Sequence, residues 1–135
     1  LVRWAATARI LPLGALHAPR TFVHVDNLVD ALTVAARHPG IGRSTFLVDD
    51  DRDVSVGEVV RLLAEELQPG RRVVIDVPQS LLALAATLAG RRATFEKLAA
   101  TLQVDASAFM RATGWRPSVS PEQGLRETAR QFRVS

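Results

Sequence analysis

The chain has 135 residues, 47% of them hydrophobic and none of them cysteine, with a formal charge of +3. That is one domain's worth of chain with enough apolar content for a packed core, and it excludes disulfides, thiolate catalysis and cysteine-based zinc sites. The basic balance invites a nucleic-acid reading, but Lys97 is the only lysine and the arginines are scattered among acids, which is the pattern of a solvated surface. No nucleic-acid partner is expected.

Leu1, Trp4, Ala5 and Ala8 recur at helical spacing and read as the tail of a helix. Met110 is the only methionine, so Leu1 is expected to be an internal residue of a longer protein. Ile10 to Gly14 reads as a short extended piece that Pro12 keeps at a sheet edge. Ala15 to Pro19 is a loop. Phe22, Val23 and Val25 predict a short strand, and Asp26 or Asn27 is placed to cap the helix that follows. Leu28, Leu32 and Ala35 give that helix its period, and it ends near Arg37-His38-Pro39-Gly40, because Pro39 cannot continue it.

Ser44 to Val48 is a continuous apolar run, as in a parallel strand buried on both faces. Asp49 to Asp53 reads as a solvated polar loop. Ser55-Val-Gly-Glu58 is a capping box, and Val56, Val59, Val60, Leu63 and Leu67 predict one apolar helical face. Arg72 to Val77 reads as a strand stopped by Pro78. Leu81 to Leu88 is a short apolar helix closed by Gly90. Ser80 to Ala89, the longest apolar run, is about half of the roughly 20 residues a membrane-spanning helix needs, and no signal peptide is visible. The expected setting is cytoplasmic, with no membrane partner.

Phe95 to Leu102 predicts a further helix. Asp105 is placed to cap a short one through Ala112, with Gly114 at its exit and the Trp115 indole packed on the core. Ser120-Pro-Glu-Gln123 is a second capping box with proline at the first helical position. It opens a last helix carrying Leu125, Ala129 and Phe132.

Several constellations fail on inspection. Gly40-Ile-Gly42 has Thr45 at the third glycine position and a strand after it, so it is a turn rather than a dinucleotide loop. Asp49, Asp51 and Asp53 alternate like calcium ligands, but Val54 and Val60 stand where an EF-hand needs Gly and Glu. His17, His24 and His38 lack metal-ligand spacing, so no metal site is expected. No G-x-S-x-G elbow exists for a serine nucleophile. Arg20 is different: it follows a loop, and a guanidinium fork matches phosphate oxygens bidentately. Arg91-Arg92 after Gly90 is a second candidate pair, although arginine at a helix end needs no ligand.

Four blocks, in order, resemble the C-terminal part of extended short-chain dehydrogenases/reductases, specifically the NAD-dependent epimerase/dehydratase family typified by UDP-glucose 4-epimerase. They are Leu11-Pro-Leu-Gly14, Arg20-Thr-Phe-Val-His-Val-Asp-Asn-Leu-Val-Asp-Ala31, Ser44 to Val48 with the Ser55 helix, and Val104-Asp-Ala-Ser107 with Gly114-Trp-Arg-Pro117 and Ser120 to Gly124. The resemblance implies a mixed α/β fold of short strands and several helices. Residues 1–135 would form the substrate-binding C-terminal region, and the N-terminal NAD-binding Rossmann domain would be absent from this chain.

It further implies that Arg20 meets the diphosphate of a nucleotide sugar, UDP-linked in the first reading. Leu11, Pro12 and Leu13 would line the base pocket. Arg91 or Arg92, with Arg92 the first choice, would add a second diphosphate contact. Phe22 stands where some members have tyrosine, and Ala108 replaces a customary lysine.

The family's Tyr-x-x-x-Lys pair cannot lie here, because the chain has no tyrosine. No catalytic residue and no bound cofactor are therefore expected in it, and the chain alone is expected to be inactive. The parent would be an NAD- or NADP-dependent epimerase serving bacterial surface polysaccharide synthesis, with a homodimer as one possible form. A 4-keto-sugar-nucleotide reductase is the alternative within the family, and a non-catalytic interaction domain is the alternative of another class.

Overall fold

Helix α2, Val56–Leu67, is the axis on which the rest packs. Its capping box is formed as the sequence predicts: the Glu58 amide donates to Ser55 Oγ at 3.2 Å and the Ser55 amide to Glu58 Oε2 at 2.7 Å. The five predicted apolar positions are all buried. They split between two cores. Val59, Leu63 and Leu67 pack with Val54 and with Ala129 of the last helix, α6 (Pro121–Val134). Val56, Val60 and Ala64 pack with Leu11, Leu16 and Phe95. Gly57 lies where the chain crosses itself: its amide donates to the Leu16 carbonyl at 3.0 Å, and a Cβ there would collide with the Gly14 carbonyl.

The computed structural model describes residues 10–67 and 73–134. The helix expected over Leu1 to Arg9 lies outside that range. Four two-residue strands and six helices are present among the described residues. β1 (Ile10–Leu11) pairs in parallel with β4 (Val73–Val74), and β2 (Pro19–Arg20) pairs antiparallel with β3 (Val54–Ser55). The remaining helices are α1 (Val25–Arg37), α3 (Gln79–Leu88), α4 (Arg92–Ala99) and α5 (Ser107–Thr113). The expectation of mixed α/β content with short strands and several helices holds.

Some expected elements differ. Residues 22–25 form no strand. The Phe22 carbonyl accepts from the Asp50 amide and the His24 amide donates to both oxygens of the Asp50 carboxylate at 2.9–3.0 Å, so a side chain takes the place of a strand partner. The cap of α1 is His24, whose Nδ1 accepts the Asp26 amide at 3.4 Å, and not Asp26 or Asn27. Asn27 is instead a fully buried hub. Its Nδ2 donates to Asp50 Oδ1 and to the Val119 carbonyl at 2.7 Å each, and its Oδ1 accepts the Ser118 and Val119 amides at 3.0 Å each. All four valences of the amide are used, which is what burial of such a group requires.

The loop expected to be solvated is correspondingly half wrong, since Asp49 and Asp50 are buried. Residues 44–48 are not paired as a strand, because no described strand lies beside them. Of the strand expected over Arg72 to Val77, Arg72 lies outside the described residues, and the rest is reduced to Val73–Val74 plus a bridge at Asp76.

A third core joins α1 to α5 through Ala31, Phe109, Met110 and Trp115, with Phe46 and Val48 packed against it. The Phe109 ring lies 5.6 Å from both Phe46 and Trp115, and the Trp115 Nε1 donates to Asp30 at 2.8 Å. Trp115 packs on the core as expected, with Gly114 at the exit of α5. The second capping box also forms, between Ser120 and Gln123. Asp105 accepts the Ser107 amide at 2.8 Å at the start of α5.

Candidate functional site

α3 and α4 form a hairpin laid against β1. The hairpin turns at Gly90, whose φ of +66° suits the left-handed exit of α3. There the Arg91 amide reaches back to the Ala86 carbonyl at 2.7 Å and the Gly90 amide to Thr87 at 3.1 Å. This Schellman-type closure sets the angle between the helices and throws Arg91 toward β1. Between hairpin and strand lies an open cavity of about 510 Å³, lined by Leu13, Ala85, Ala86, Ala89, Arg91, Thr94, Phe95 and Leu98. Its walls are apolar, and Arg91 is its only charged lining residue among those described. An apolar recess lined by one cation suits a flat apolar ring attached to an anion.

The residues expected to bind substrate are partly gathered here and partly dispersed. Leu13 lines the cavity. Leu11, two residues earlier, is fully buried in the core against which Leu13 packs, so it supports the wall and does not line the cavity. Pro12 is half-buried in the turn between them. Phe22 packs on the α2–α6 core, remote from the cavity lining. Arg92 points away and bonds Glu96 at 2.8 Å, one turn along its own helix. Arg91, the other member of the pair, lines the cavity instead. The signal that separates them is in the sequence: Arg92 has an acid at i+4 to hold it, whereas Arg91 has Phe95.

Arg20 sits at the far end of α4. Its Nη2 donates to the carbonyls of Lys97 and Ala100, so the cation caps the negative end of that helix. Its Nε is buried without a partner among the described residues. The helix spans about 12 Å at 1.5 Å per residue, so Arg20 and Arg91 stand at its two ends and are not brought together. The sequence also gave no hint of Phe95, Thr94 and the α3 alanines as cavity walls, because the hairpin angle places them.

A second, polar cleft of about 220 Å³ collects Asp49, Asp51, Asp53 and Asp105. Most of these carboxylates are engaged. Asp53 accepts from Gln103 and Thr21, which hold its carboxyl below the usual range. Asp105 is held down by its bonds from Ser107. Asp49 is pushed up, first by burial, although the Asp51 amide offsets part of this. The cluster fastens the 101–105 segment to the 49–53 loop: the Val104 amide donates to Thr21 Oγ1 at 2.9 Å and the Thr21 amide to the Leu102 carbonyl at 2.8 Å.

His24, Asp26 and Glu127 offer ligand atoms within 4.8 Å of one another, a meeting of distant residues that spacing along the chain could not show. There the imidazole joins two helices. Nδ1 caps α1, Nε2 faces Glu127 of α6 at 3.6 Å, and the ring lies over Gly124.

No family model matches the chain. A UDP-glucose 4-epimerase of Vibrio cholerae is 34% identical over 133 residues, covering 98% of this chain and 40% of the relative. The structure of RMD from Pseudomonas aeruginosa complexed with NADPH superposes with a TM-score of 0.63 at 19% identity, covering 99% of this chain and 40% of that one. The chain thus spans about two fifths of the length of either protein. The sequence likeness to an epimerase, the shared fold and the four blocks in their expected order agree: the chain fits a fragment of an NAD-dependent epimerase/dehydratase, and its fold matches the C-terminal part of a short-chain dehydrogenase/reductase-like fold.

Proposed function

We propose that the chain is the substrate-binding C-terminal region of an NAD(P)-dependent nucleotide-sugar epimerase. The observation that carries this reading is the cavity between the α3–α4 hairpin and the segment after β1, lined by Leu13 and, as its one charged residue among those described, by Arg91. In this reading the nucleotide base lies against Leu13 and Phe95, and Arg91 meets a phosphate oxygen. Arg20 holds the far end of α4 and so fixes the helix that lines the cavity. The ligand is a UDP-sugar, the parent enzyme is cytoplasmic, and its role is in surface polysaccharide synthesis. The alternative is a reductase of the same family, which the likeness to a protein complexed with NADPH favours.

One glycine turn of this chain does not fit a dinucleotide. Gly40 to Gly42 lies in a turn followed by an extended segment, so no helix N-terminus is offered to a pyrophosphate. The chain also lacks tyrosine. NAD or NADP and the acid/base group therefore belong to the rest of the parent protein. What these residues contribute is binding and orientation of the nucleotide end, and this chain alone turns nothing over.

Calorimetric titration of the full-length parent with UDP and with UDP-glucose tests the assignment. Arg91→Ala and Arg20→Ala are each expected to weaken binding by about 1–3 kcal/mol, the scale for losing a charge-assisted contact, and Arg92→Ala to leave it within about twofold. Unchanged affinity in both Arg91→Ala and Arg20→Ala overturns the site.

A further inference from the structure

The polar ties of the α3–α4 hairpin to the rest of the molecule lie at its two roots. On the way in, the Ile75 amide donates to the Leu11 carbonyl at 2.9 Å and the Gly14 amide to the Ile75 carbonyl at 3.2 Å, while Arg61 holds Asp76 at 2.6 Å. On the way out, the Leu102 amide donates to the Pro19 carbonyl at 3.1 Å, and the Leu102 carbonyl accepts the Thr21 amide at 2.8 Å. Between these anchors, among the described residues, every backbone hydrogen bond of residues 78–100 stays within the hairpin. The Thr87 hydroxyl bonds Ala83 and Arg92 bonds Glu96, each within its own helix. Arg20 alone crosses from the body, and it does so at the last turn of α4, at the root.

Packing has the same gradient. Of residues 79–100 only Phe95 is buried, and α3 contributes no buried residue. Leu88, beside the Gly90 tip, is 81% exposed. On the cavity side α3 presents Ala85, Ala86 and Ala89, whose short side chains leave the space open. A segment with few buried apolar contacts opens at low free energy. Its two ends also have the form of hinges, which are a few residues at element termini. Pro78 (φ −51°, ψ 136°) and Ala100 (φ −76°, ψ 141°) are single extended residues that flank the two helices.

We propose that residues 79–99 are a lid. The α3–α4 hairpin swings as one body about Pro78 and Ala100, with Arg20 as the pin at its root, and it closes on a nucleotide diphosphate when Arg91 at the free tip meets a phosphate oxygen. This rests on the reading of the cavity as the nucleotide site. The bonds from Arg91 to Ala86 and from Gly90 to Thr87 lock the turn, so the tip carries both helices with it. Closure shrinks the open cavity of about 510 Å³ and takes its apolar walls out of water. Excluding water also strengthens the attraction between Arg91 and the phosphate. A ligand that meets Arg91 only in the closed form shifts the population toward that form. Arg20 is a positioning residue here: it fixes the root of α4, so that the swing of the tip is directed at the cavity.

Spin-label distances measured by pulsed electron paramagnetic resonance test the lid in the full-length parent, with any cysteines outside this region replaced; residues 1–135 contain none. Leu88→Cys paired with His17→Cys reports the tip, and Thr101→Cys paired with His17→Cys reports the root. Without ligand, the tip distribution should be at least about twice as wide as that of the root. Saturating UDP should narrow the tip distribution and shorten its mean by more than about 2 Å, with the root unmoved. Arg20→Ala should leave the tip distribution broad at saturating UDP. A tip as narrow as the root in the free protein overturns the lid, and so does a tip distance that stays unchanged while calorimetry shows UDP bound. The substrate reading is separable: a broad tip in a parent that binds no UDP sinks that reading and leaves the hinge standing.

Discussion

Helices α1 and α2, 13 and 12 residues long, carry apolar stripes of similar regularity, and they fare oppositely. α2 buries its stripe between two cores and is held to α6 by Arg126, which bonds Glu66 at 2.8 Å and Glu65 at 3.3 Å. α1 turns its stripe outward and is anchored through a polar hub, Asn27 with Asp50, and through Trp115. The difference teaches that periodicity specifies a stripe but not its partner. It also implies that two kinds of residue that look alike in sequence will respond differently to the same substitution.

The largest expected effect is on the α2 side. Leu63→Ala should cost about 2–5 kcal/mol in urea unfolding, the range for a leucine deleted from a packed core. Leu32→Ala should change stability of this chain by no more than about 0.5 kcal/mol. Equal costs for the two would break the comparison. Gly57→Ala comes next, because its Cβ meets backbone at Gly14 rather than a yielding side chain. About 1–3 kcal/mol is expected, as for overpacking, and an unchanged urea midpoint would show that the crossing can open.

Asn27→Leu tests the polar anchor of α1. It removes partners from the buried Asp50 carboxylate and from the Ser118 and Val119 amides, at about 1–3 kcal/mol. A neutral result would mean that the hub is dispensable.

Smaller still is Ser55→Ala, at about 1 kcal/mol for a lost cap, and it carries a pH signature. Glu58 is held below its ordinary value of 4.5, first by the Ser55 amide and against the opposing effect of burial. A carboxyl depressed in the folded state adds stability that is present above its unfolded value and is lost as pH falls through the folded one. Glu58→Gln should therefore flatten the loss of stability below about pH 4.5, measured as urea midpoints against pH. Asp53 acts in the same direction through Gln103 and Thr21, and Asp49, raised by burial, acts in the opposite one.

What could be read from the chain was whatever depends on neighbours a few residues away. Both capping boxes, the α2 face, the proline and glycine boundaries and the Gly114–Trp115 exit are local, and they form as written. The strand at Phe22 to Val25 was misread, because Asp50, 26 residues from His24, supplies a carboxylate where a strand partner was assumed. Residues 44–48 have strand chemistry without a neighbour. The choice between Arg91 and Arg92 was open to a reader who weighed Glu96, since an i,i+4 acid ties one of the two.

The sequence by itself determined the main helices, the four ordered blocks that carry the family resemblance, and the absence of tyrosine, because these depend on residue identity and short spacing. The tertiary structure decided which arginine stands at the cavity, that Leu11 supports and Leu13 lines, that Arg20 caps α4, and which apolar stripe is left uncovered. Those outcomes depend on the angle of the hairpin and on residues far apart in the chain meeting in space, which no local pattern records.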